Sequence, residues 1–153
     1  MSVTSRLQAT PLYPAAELEA FLAGRTDDGA VVSFTGVTRR TSHSGDAVSS
    51  LYLEHYPGMT ERSIEEIAEA GAKRFDVSDV LVIHRCGEVA PGEAIVFVAA
   101  ASRHRGEAFA AADYLMDRLK TEAAFWKRED GAAGSRWIEP TAVDKDRRAR
   151  WSD

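Results

Sequence analysis

Residues capable of acid–base chemistry cluster in one stretch, residues 103–129, which reads RHRGEAFAAADYLMDRLKTEAAFWKRE. Lys120 lies at the border of an apolar helical face, and Lys127 follows in a short predicted strand. If Phe125 points into the core, Lys127 starts from the same side of that strand. Burial lowers the pKa of a lysine and makes its amine useful as an acid, a base or a nucleophile. The alternative for both lysines is an ordinary solvated charge, at a helix C-terminus or on an edge strand.

The predicted helix in this stretch begins with three basic or potentially basic residues, Arg103, His104 and Arg105. This is the unfavourable sign, because the free N–H groups and dipole of a helix N-terminus attract negative charge. A bound anion resolves the conflict, since basic side chains and N–H groups then converge on one phosphate or carboxylate. Arg39, which ends a predicted strand, is a further candidate ligand, with a solvated loop arginine as its alternative. The sequence therefore predicts a lysine site near an anion-binding helix start, suited to a phosphate-bearing substrate.

Composition limits the class of protein. The chain has 153 residues, 44% hydrophobic and 28% charged, which fits a single soluble domain over residues 1–153. A net charge of −5 argues against a nucleic-acid partner. The lone cysteine, Cys86, rules out an internal disulfide and suits a cytoplasmic location. The longest apolar run, 94–101, is too short to cross a membrane, and the N-terminus lacks the apolar core of a signal peptide.

Several familiar chemistries find no support in the motifs. The four histidines, including His84 in a predicted strand, lack the spacing of zinc ligands. No Walker loop, dinucleotide-binding glycine motif or GxSxG elbow is present. The sequence therefore gives no reason to expect a metal or a bound cofactor, and His84 is interpreted as a structural histidine.

Hydrophobic periodicity predicts the elements that must position the site. The nearly all-apolar run 94–101 indicates a central strand, and Gly36 within a strand over 30–38 indicates a bulge or a close approach. A helix over 103–121 is predicted to bury one face, formed by Ala108, Phe109, Ala112, Leu115, Met116 and Leu119.

The remaining elements predict an α+β fold, with helices on one face of a largely antiparallel sheet. The charged tail, 141–153, contains Trp151 and is expected to dock on this subunit or on a neighbour. The other predicted elements are an extended arm or strand (1–13), helices (15–23 and 60–75), strands (49–55, 80–86, 125–129 and 135–138), a polar loop (41–47) and a turn (88–93).

Six stretches carry a resemblance to a known family, in that family's order and spacing. They are DGAVVSFTGVTR (28–39), LEHYPGMTE (53–61), VIHRCGEVAPGEAIVFV (82–98), SRHRGEAF (102–109), YLMDRLKTEAAFWKRE (114–129) and RWIE (136–139). With these motifs the chain resembles the large, catalytic subunits of molybdopterin synthase. LEHYPGM and FWKRE are the most specific of them.

The resemblance implies a sulfurtransferase that converts cyclic pyranopterin monophosphate into molybdopterin by installing two dithiolene sulfurs. It implies that a small ubiquitin-like partner supplies sulfur as a C-terminal Gly-Gly thiocarboxylate, which enters a pocket of the large subunit. It also implies a homodimer of large subunits within a heterotetramer. The implied fold is an α/β hammerhead-like core with an added antiparallel β subdomain. A non-catalytic module of the same fold, which binds an anion or docks the partner, is the alternative.

The resemblance also implies roles for individual residues. Lys120 and Lys127 match the catalytic lysines and also contact substrate, and some pocket groups are expected from the second subunit. The remaining implied substrate-binding residues are Val37, Thr38, Arg39, His104, Arg105, Arg128 and Glu129. The stretch 121–124 departs from the family, which commonly has a proline there, and Glu122 is expected to affect Lys120 or the docking of the partner's tail.

Overall fold

The computed structural model describes residues 1–152, which form two four-stranded sheets and four helices. The α+β class and the added antiparallel sheet are confirmed. In chain order the elements are β1 (Ser2–Gln8), α1 (Pro14–Leu22), β2 (Ala30–Val37), β3 (Ser50–His55), α2 (Met59–Arg74), β4 (Asp79–Arg85), β5 (Gly87–Val89), β6 (Ala94–Ser102), α3 (Arg105–Glu122), β7 (Phe125–Gly131), β8 (Gly134–Ile138) and α4 (Ala142–Ala149).

The first sheet has the order β1-β4-β6-β2 and forms the core. Its strand β6 lies between β4 and β2, as its apolar sequence predicts, and alternate residues face opposite sides. Val96, Val98 and Ala100 pack in the cluster that contains α2 and α3, whereas Phe97 and Ala99 pack in the cluster that contains α1. The two helices predicted over 60–75 and 103–121 therefore lie on one face as expected, and α1 covers the other face.

The second sheet has the order β5-β3-β7-β8, and all of its pairs are antiparallel. The prediction of one sheet is wrong, because β3, β7 and β8 pair in a sheet of their own with β5. The prediction of a turn over 88–93 is also wrong at its start, because a strand occupies that part. Gly87–Val89 forms β5, a three-residue strand that pairs with β3 and is too short to give a periodic signal. This sheet carries β7, and with it Lys127.

Helix α3 begins at Arg105, with His104 as its N-cap, and the face that it buries is rotated from the predicted one. Ala108, Ala111, Leu115 and Leu119 are buried at helical spacing. Phe109 is 60% exposed, so its assignment to the buried face is wrong. One residue beyond Ala108 is a rotation of about 100°, which turns Phe109 away from the sheet.

The C-terminal tail docks on α3 of the same chain. The buried carboxylate of Asp117 accepts hydrogen bonds from Arg147 Nε (3.1 Å), Arg150 Nη2 (2.7 Å) and Trp151 Nε1 (2.7 Å). The Trp151 ring packs edge-on against Tyr114, with ring centroids 5.5 Å apart. Burial of Asp117 raises its pKa, but the three hydrogen bonds outweigh burial and lower the pKa overall.

Asp117→Asn is expected to loosen the tail, because the amide loses the charge that three donors share. Hydrogen bonds to a charged group contribute about 1.5–3 kcal/mol, so tail opening becomes roughly ten- to a hundredfold more frequent. Limited trypsin cleavage after Arg147 or Arg150 measures that frequency.

The matched control for this prediction is Asp146→Asn, on the exposed side of α4. Equal cleavage rates for the two variants would contradict the role of Asp117. Because the pKa of Asp117 is lowered in the folded chain, its contribution is present above the ordinary carboxyl pKa of about 3.9 and is lost as the pH falls below it.

Candidate active site

A pocket of about 270 Å³ opens where the end of β2, the end of α3, the strand β7 and the segment before α4 meet. Its apolar floor includes Leu119 and Phe125, which extend the core cluster beneath it. The polar and charged side chains that line it are Thr38, Arg39, Thr41, His43, Lys120, Thr121, Lys127, Glu129, Glu139, Thr141 and Asp144. The structure thus brings Val37, Thr38, Arg39, Lys120, Lys127 and Glu129 of the predicted set into one pocket.

The two lysines reach the pocket from different elements. Lys120 is exposed in the last turn of α3, and Lys127 is half-buried on β7. Phe125, Lys127 and Glu129 all line the pocket, as strand alternation predicts for one face of β7. The prediction that Lys127 and Phe125 start from the same side is confirmed.

The ammonium of Lys127 lies in an unfavourable environment. Burial is the main cause that lowers its pKa, the positive charge of Lys120 adds to the effect, and Asp144 partly opposes it. The result is a pKa of about 8 for Lys127. A lysine with such a pKa holds a useful fraction of free amine near neutral pH, so it can accept and return a proton.

His84 supports the pocket floor from below. Its ring stacks on Phe125 with centroids 4.4 Å apart, and its Nδ1 lies 2.8 Å from the carbonyl oxygen of Arg85. Burial, reinforced by the charge of Lys127, lowers the pKa of His84 to about 3. The imidazole is therefore neutral and donates from Nδ1 to that carbonyl, which agrees with the interpretation of a structural histidine.

Three residues at the end of β2, Val37, Thr38 and Arg39, line the pocket. The register of β2 against β6 shifts between Gly36 and Val37, and a Cβ on Gly36 would lie 2.6 Å from Val96 Cγ1. The prediction of a bulge at Gly36 is confirmed, whereas the atoms that approach it closely belong to side chains and not to backbone or a ligand. Just beyond the bulge, the hydroxyl of Thr38 is buried and has no hydrogen-bond partner among the described residues. Because Thr38 lines the pocket, a small rotation of its side chain would let a ligand atom bond to that hydroxyl.

Arg39 faces a histidine that sequence reasoning missed. Its Nη2 lies 3.1 Å from Nε2 and 3.2 Å from Nδ1 of His43, so the two side chains share one wall. The loop 41–47 has defined internal bonds, because Thr41 bridges to Ala47 and the Ser42 N–H donates to the Asp46 carbonyl at 2.8 Å. No periodic pattern marks such a loop, which explains why His43 gave no signal.

The tail contributes the other residues that were missed, chiefly Thr141 and Asp144. Thr141 caps α4, and Asp144 returns a hydrogen bond to the Thr141 N–H. This capping box is readable in the sequence TAVD and predicts a helix start at residue 141. It places a carboxylate close enough to Lys127 to influence its pKa.

Three predicted ligands lie elsewhere in the chain. His104 and Arg105 are exposed at the start of α3, about 22 Å of helix from Lys120. The expectation that the basic helix start lies near the two lysines is therefore wrong within one chain. Arg128 points away from the pocket, donates to Asp130 at 2.8 Å and lies 4.9 Å from the Tyr52 ring centroid.

Glu122 points away from Lys120 and contacts two arginines of the same chain. Its carboxylate accepts hydrogen bonds from Arg118 one turn earlier and from Arg148 of the tail. Two helical positions separate Glu122 from Lys120 by about 200° of rotation, so the two side chains point in different directions. Glu122 thus helps to dock this chain's own C-terminal tail on α3.

Within residues 1–152, no three His, Cys, Asp or Glu side chains are grouped as a metal ion would require. No helix of the described part is long and apolar enough to cross a membrane. The one cysteine, Cys86, is buried and does not line the pocket.

Solved structures share this two-sheet α+β fold. A molybdopterin biosynthesis MoaE protein from Burkholderia ambifaria has a TM-score of 0.81 and 40% identity, and the match covers 97% of both chains. A molybdopterin synthase from Staphylococcus aureus has a TM-score of 0.76 and 27% identity, and the match covers 86% of this chain and 94% of that one.

Sequence comparison identifies the family. The model of the MoaE protein family matches residues 7–122, and the chain belongs to that family. A molybdopterin synthase catalytic subunit from Caulobacter vibrioides is 52% identical over 141 residues, which is 92% of each chain. A molybdopterin synthase catalytic subunit from Escherichia coli is 50% identical over 131 residues, which is 86% of this chain and 87% of that one.

The electrostatics of the pocket predict opposite responses to two charge removals. Lys120→Gln is expected to raise the pKa of Lys127 above about 8, because a repelling charge disappears. Asp144→Asn is expected to lower it, because an attracting charge disappears. Titration of ¹³C-labelled lysine side chains by NMR measures both shifts.

Lys145→Gln is the control for these variants, since Lys145 is exposed on α4 and does not line the pocket. Shifts of the same sign for Lys120→Gln and Asp144→Asn would contradict the arrangement of charges around Lys127.

Proposed function

We propose that this chain is the catalytic subunit of a molybdopterin synthase, which transfers sulfur to cyclic pyranopterin monophosphate. The observation that carries the proposal is the pair of lysines in one pocket, one of them with a pKa of about 8. The names of the related chains from Caulobacter vibrioides and Escherichia coli support a catalytic role over the alternative of a non-catalytic module.

The sulfur nucleophile belongs to the partner, a small ubiquitin-like subunit that ends in a Gly-Gly thiocarboxylate. The pocket lining includes no cysteine, which agrees with a nucleophile delivered from outside. A Gly-Gly tail has no side chains beyond Cα and therefore suits entry into a small pocket between side chains.

The lysines divide the proton chemistry in this proposal. The thiocarboxylate sulfur, already an anion, forms a bond to a substrate carbon as the bond from that carbon to its oxygen breaks, and protonated Lys127 gives its proton to the leaving oxygen. The free amine of Lys127 then takes a proton from the water that cleaves the bond between the sulfur and the partner's carbonyl carbon, which leaves sulfur on the substrate and a carboxylate on the partner. The positive charge of Lys120 stabilises anionic groups in the pocket. Arg39 binds the phosphate, and the buried hydroxyl of Thr38 provides a hydrogen bond to the substrate.

His104 and Arg105 act on the pocket of a second copy of this chain. Within one chain they lie too far from the lysines, as the length of α3 dictates. A homodimer with one small subunit on each large subunit would bring an anion-binding helix start to each pocket. Arg128 and Glu129 follow Lys127 on β7; Glu129 lines the pocket from this chain, and Arg128 contacts substrate only if a second chain approaches its face.

We place this assembly in the cytoplasm, since the lone buried cysteine suits a reducing compartment.

Lys120→Ala is expected to abolish product formation while partner binding stays nearly intact, because the substitution removes a charge inside the pocket. The assay mixes the protein with thiocarboxylated small subunit and cyclic pyranopterin monophosphate, and it quantifies the dithiolene pterin. Binding of the small subunit is measured separately by calorimetry.

Lys73→Ala, at an exposed position on α2, is the matched lysine control and retains activity. Product from Lys120→Ala at the wild-type rate would remove Lys120 from the mechanism. Loss of partner binding by the folded variant would reassign it to docking.

A further inference from the structure

The two lysines are joined by a very short link. Lys120 lies in the last turn of α3, Ala123 leaves the helix with φ −68° and ψ 134°, and β7 begins at Phe125. The N–H of Phe125 donates to the carbonyl of Ala123 at 2.9 Å, which closes a three-residue turn around Ala124. The conformation of Ala124 therefore sets the direction of β7 relative to α3, and with it the position of Lys127 relative to Lys120.

Two hydroxyl side chains of α2 bind both backbone groups of Ala124. The Thr60 hydroxyl donates to the Ala124 carbonyl at 2.6 Å, and the Ser63 hydroxyl accepts from the Ala124 N–H at 3.1 Å. Thr60 is fully buried, and its oxygen also accepts from the Tyr56 N–H at 2.8 Å. Ser63 completes its own bonding by donating to the Thr60 carbonyl at 2.9 Å. Each hydroxyl thus donates one hydrogen bond and accepts one.

This contact gives a role to the stretch LEHYPGMTE, which contributes no residue to the pocket. The stretch ends β3, turns at Tyr56 and Gly58, and starts α2 with Thr60 in its first turn. The turn therefore holds Thr60 where it can reach the link between the lysines. A fold that needed only a capped helix would not require contact with both groups of Ala124.

We propose that Thr60 and Ser63 are positioning residues, which fix the separation of Lys120 and Lys127 by holding the link at Ala124. The inference rests on the proposed function of the two lysines. A displacement of about 1 Å in a catalytic group can lower a rate up to a hundredfold, so the hydroxyls act through the lysines without touching the substrate.

Thr60→Val tests the proposal, because valine keeps the shape of threonine and removes the hydroxyl. We expect a roughly tenfold or greater fall in kcat with little change in KM. We also expect the pKa of Lys127 to rise from about 8 toward the ordinary 10.5 as water and distance relax its surroundings. Thr60→Ser retains the hydroxyl and is expected to keep both the rate and the pKa close to wild type.

The pKa of Lys127 is compared among wild type, Thr60→Val and Thr60→Ser, and the charged groups around Lys127 are the same in all three proteins. The groups that face or neighbour it are Lys120 of α3, Asp144 of α4, His84 of β4, Glu129 of β7, and Arg39, His43 and Glu139 of the pocket wall. None of these is changed in the variants, so a shift of the pKa reports the position of Lys127.

Ser63→Ala provides a second route that does not disturb the buried Thr60. It is expected to lower kcat, and adding Ala124→Pro is expected to restore it. Proline lacks the N–H that Ser63 binds and has a fixed φ near −65°. That φ suits the centre of a turn of this kind, and Ala123 is already extended, as the residue before proline must be.

The outcomes separate the inference from the proposed function. If wild type makes no product, the proposed function fails, and the NMR titration of Lys127 in Thr60→Val still decides the positioning role. A lowered Tm with kcat and the Lys127 pKa unchanged would overturn the inference and leave Thr60 a purely structural residue. Failure of Ala124→Pro to restore the activity of Ser63→Ala would also overturn it.

Discussion

The length of α3 is the constraint on which the rest of the site depends. Eighteen residues of helix span about 27 Å, and the helix is buried along one face, so it acts as a rigid spacer. Lys120 lies at one end, and the basic pair His104 and Arg105 lies at the other. A phosphate of ordinary size cannot contact both ends in one chain. In the proposed function, the two ends therefore serve one anion site that two chains form together.

Lys120 and Lys127 repel each other, because two positive charges share a partly buried pocket. Contacts from the C-terminal tail and from α2 hold the two lysines in place. Asp144 offsets part of the charge at Lys127, and Asp117 holds the tail that carries Asp144 against α3. Thr60 fixes the link that joins the two lysines. The low pKa of Lys127 is thus a property of several elements, since burial and neighbouring charge both depend on their packing.

Strand alternation and apolar runs predicted the parts of this fold that short-range patterns encode. The common face of Phe125, Lys127 and Glu129 follows from the period of two residues in a strand, and the central position of β6 follows from its apolar sequence. Where several helical phases were compatible with the same apolar residues, prediction failed, as at Phe109. The second sheet depends on pairing between β3 and β7, whose partner residues are seventy to eighty positions apart, and no local pattern reports that pairing.

Charged side chains in the sequence and the family resemblance together predicted the candidate residues, and the structure shows which of them lie in one pocket. Arg39 and the two lysines meet, whereas Arg128 faces Tyr52, and His104 lies at the far end of α3. His43 and Asp144 escaped notice because their relevance arises from contacts with Arg39 and Lys127 in three dimensions. The capping-box pattern at the start of α4 could have drawn attention to Asp144, whereas no sequence pattern marks His43.

A mixed dimer is the most direct test of a pocket shared between two chains. Differently tagged Lys120→Ala and Arg105→Ala chains, each inactive alone, are co-expressed, and the dimer carrying both tags is isolated and assayed with thiocarboxylated small subunit. If one pocket takes its lysines from one chain and Arg105 from the other, one of the two sites is intact, and roughly half of the wild-type activity returns. An inactive mixed dimer, beside an active wild-type dimer carrying the same tags, would contradict the account, because it would mean that each pocket is built from a single chain.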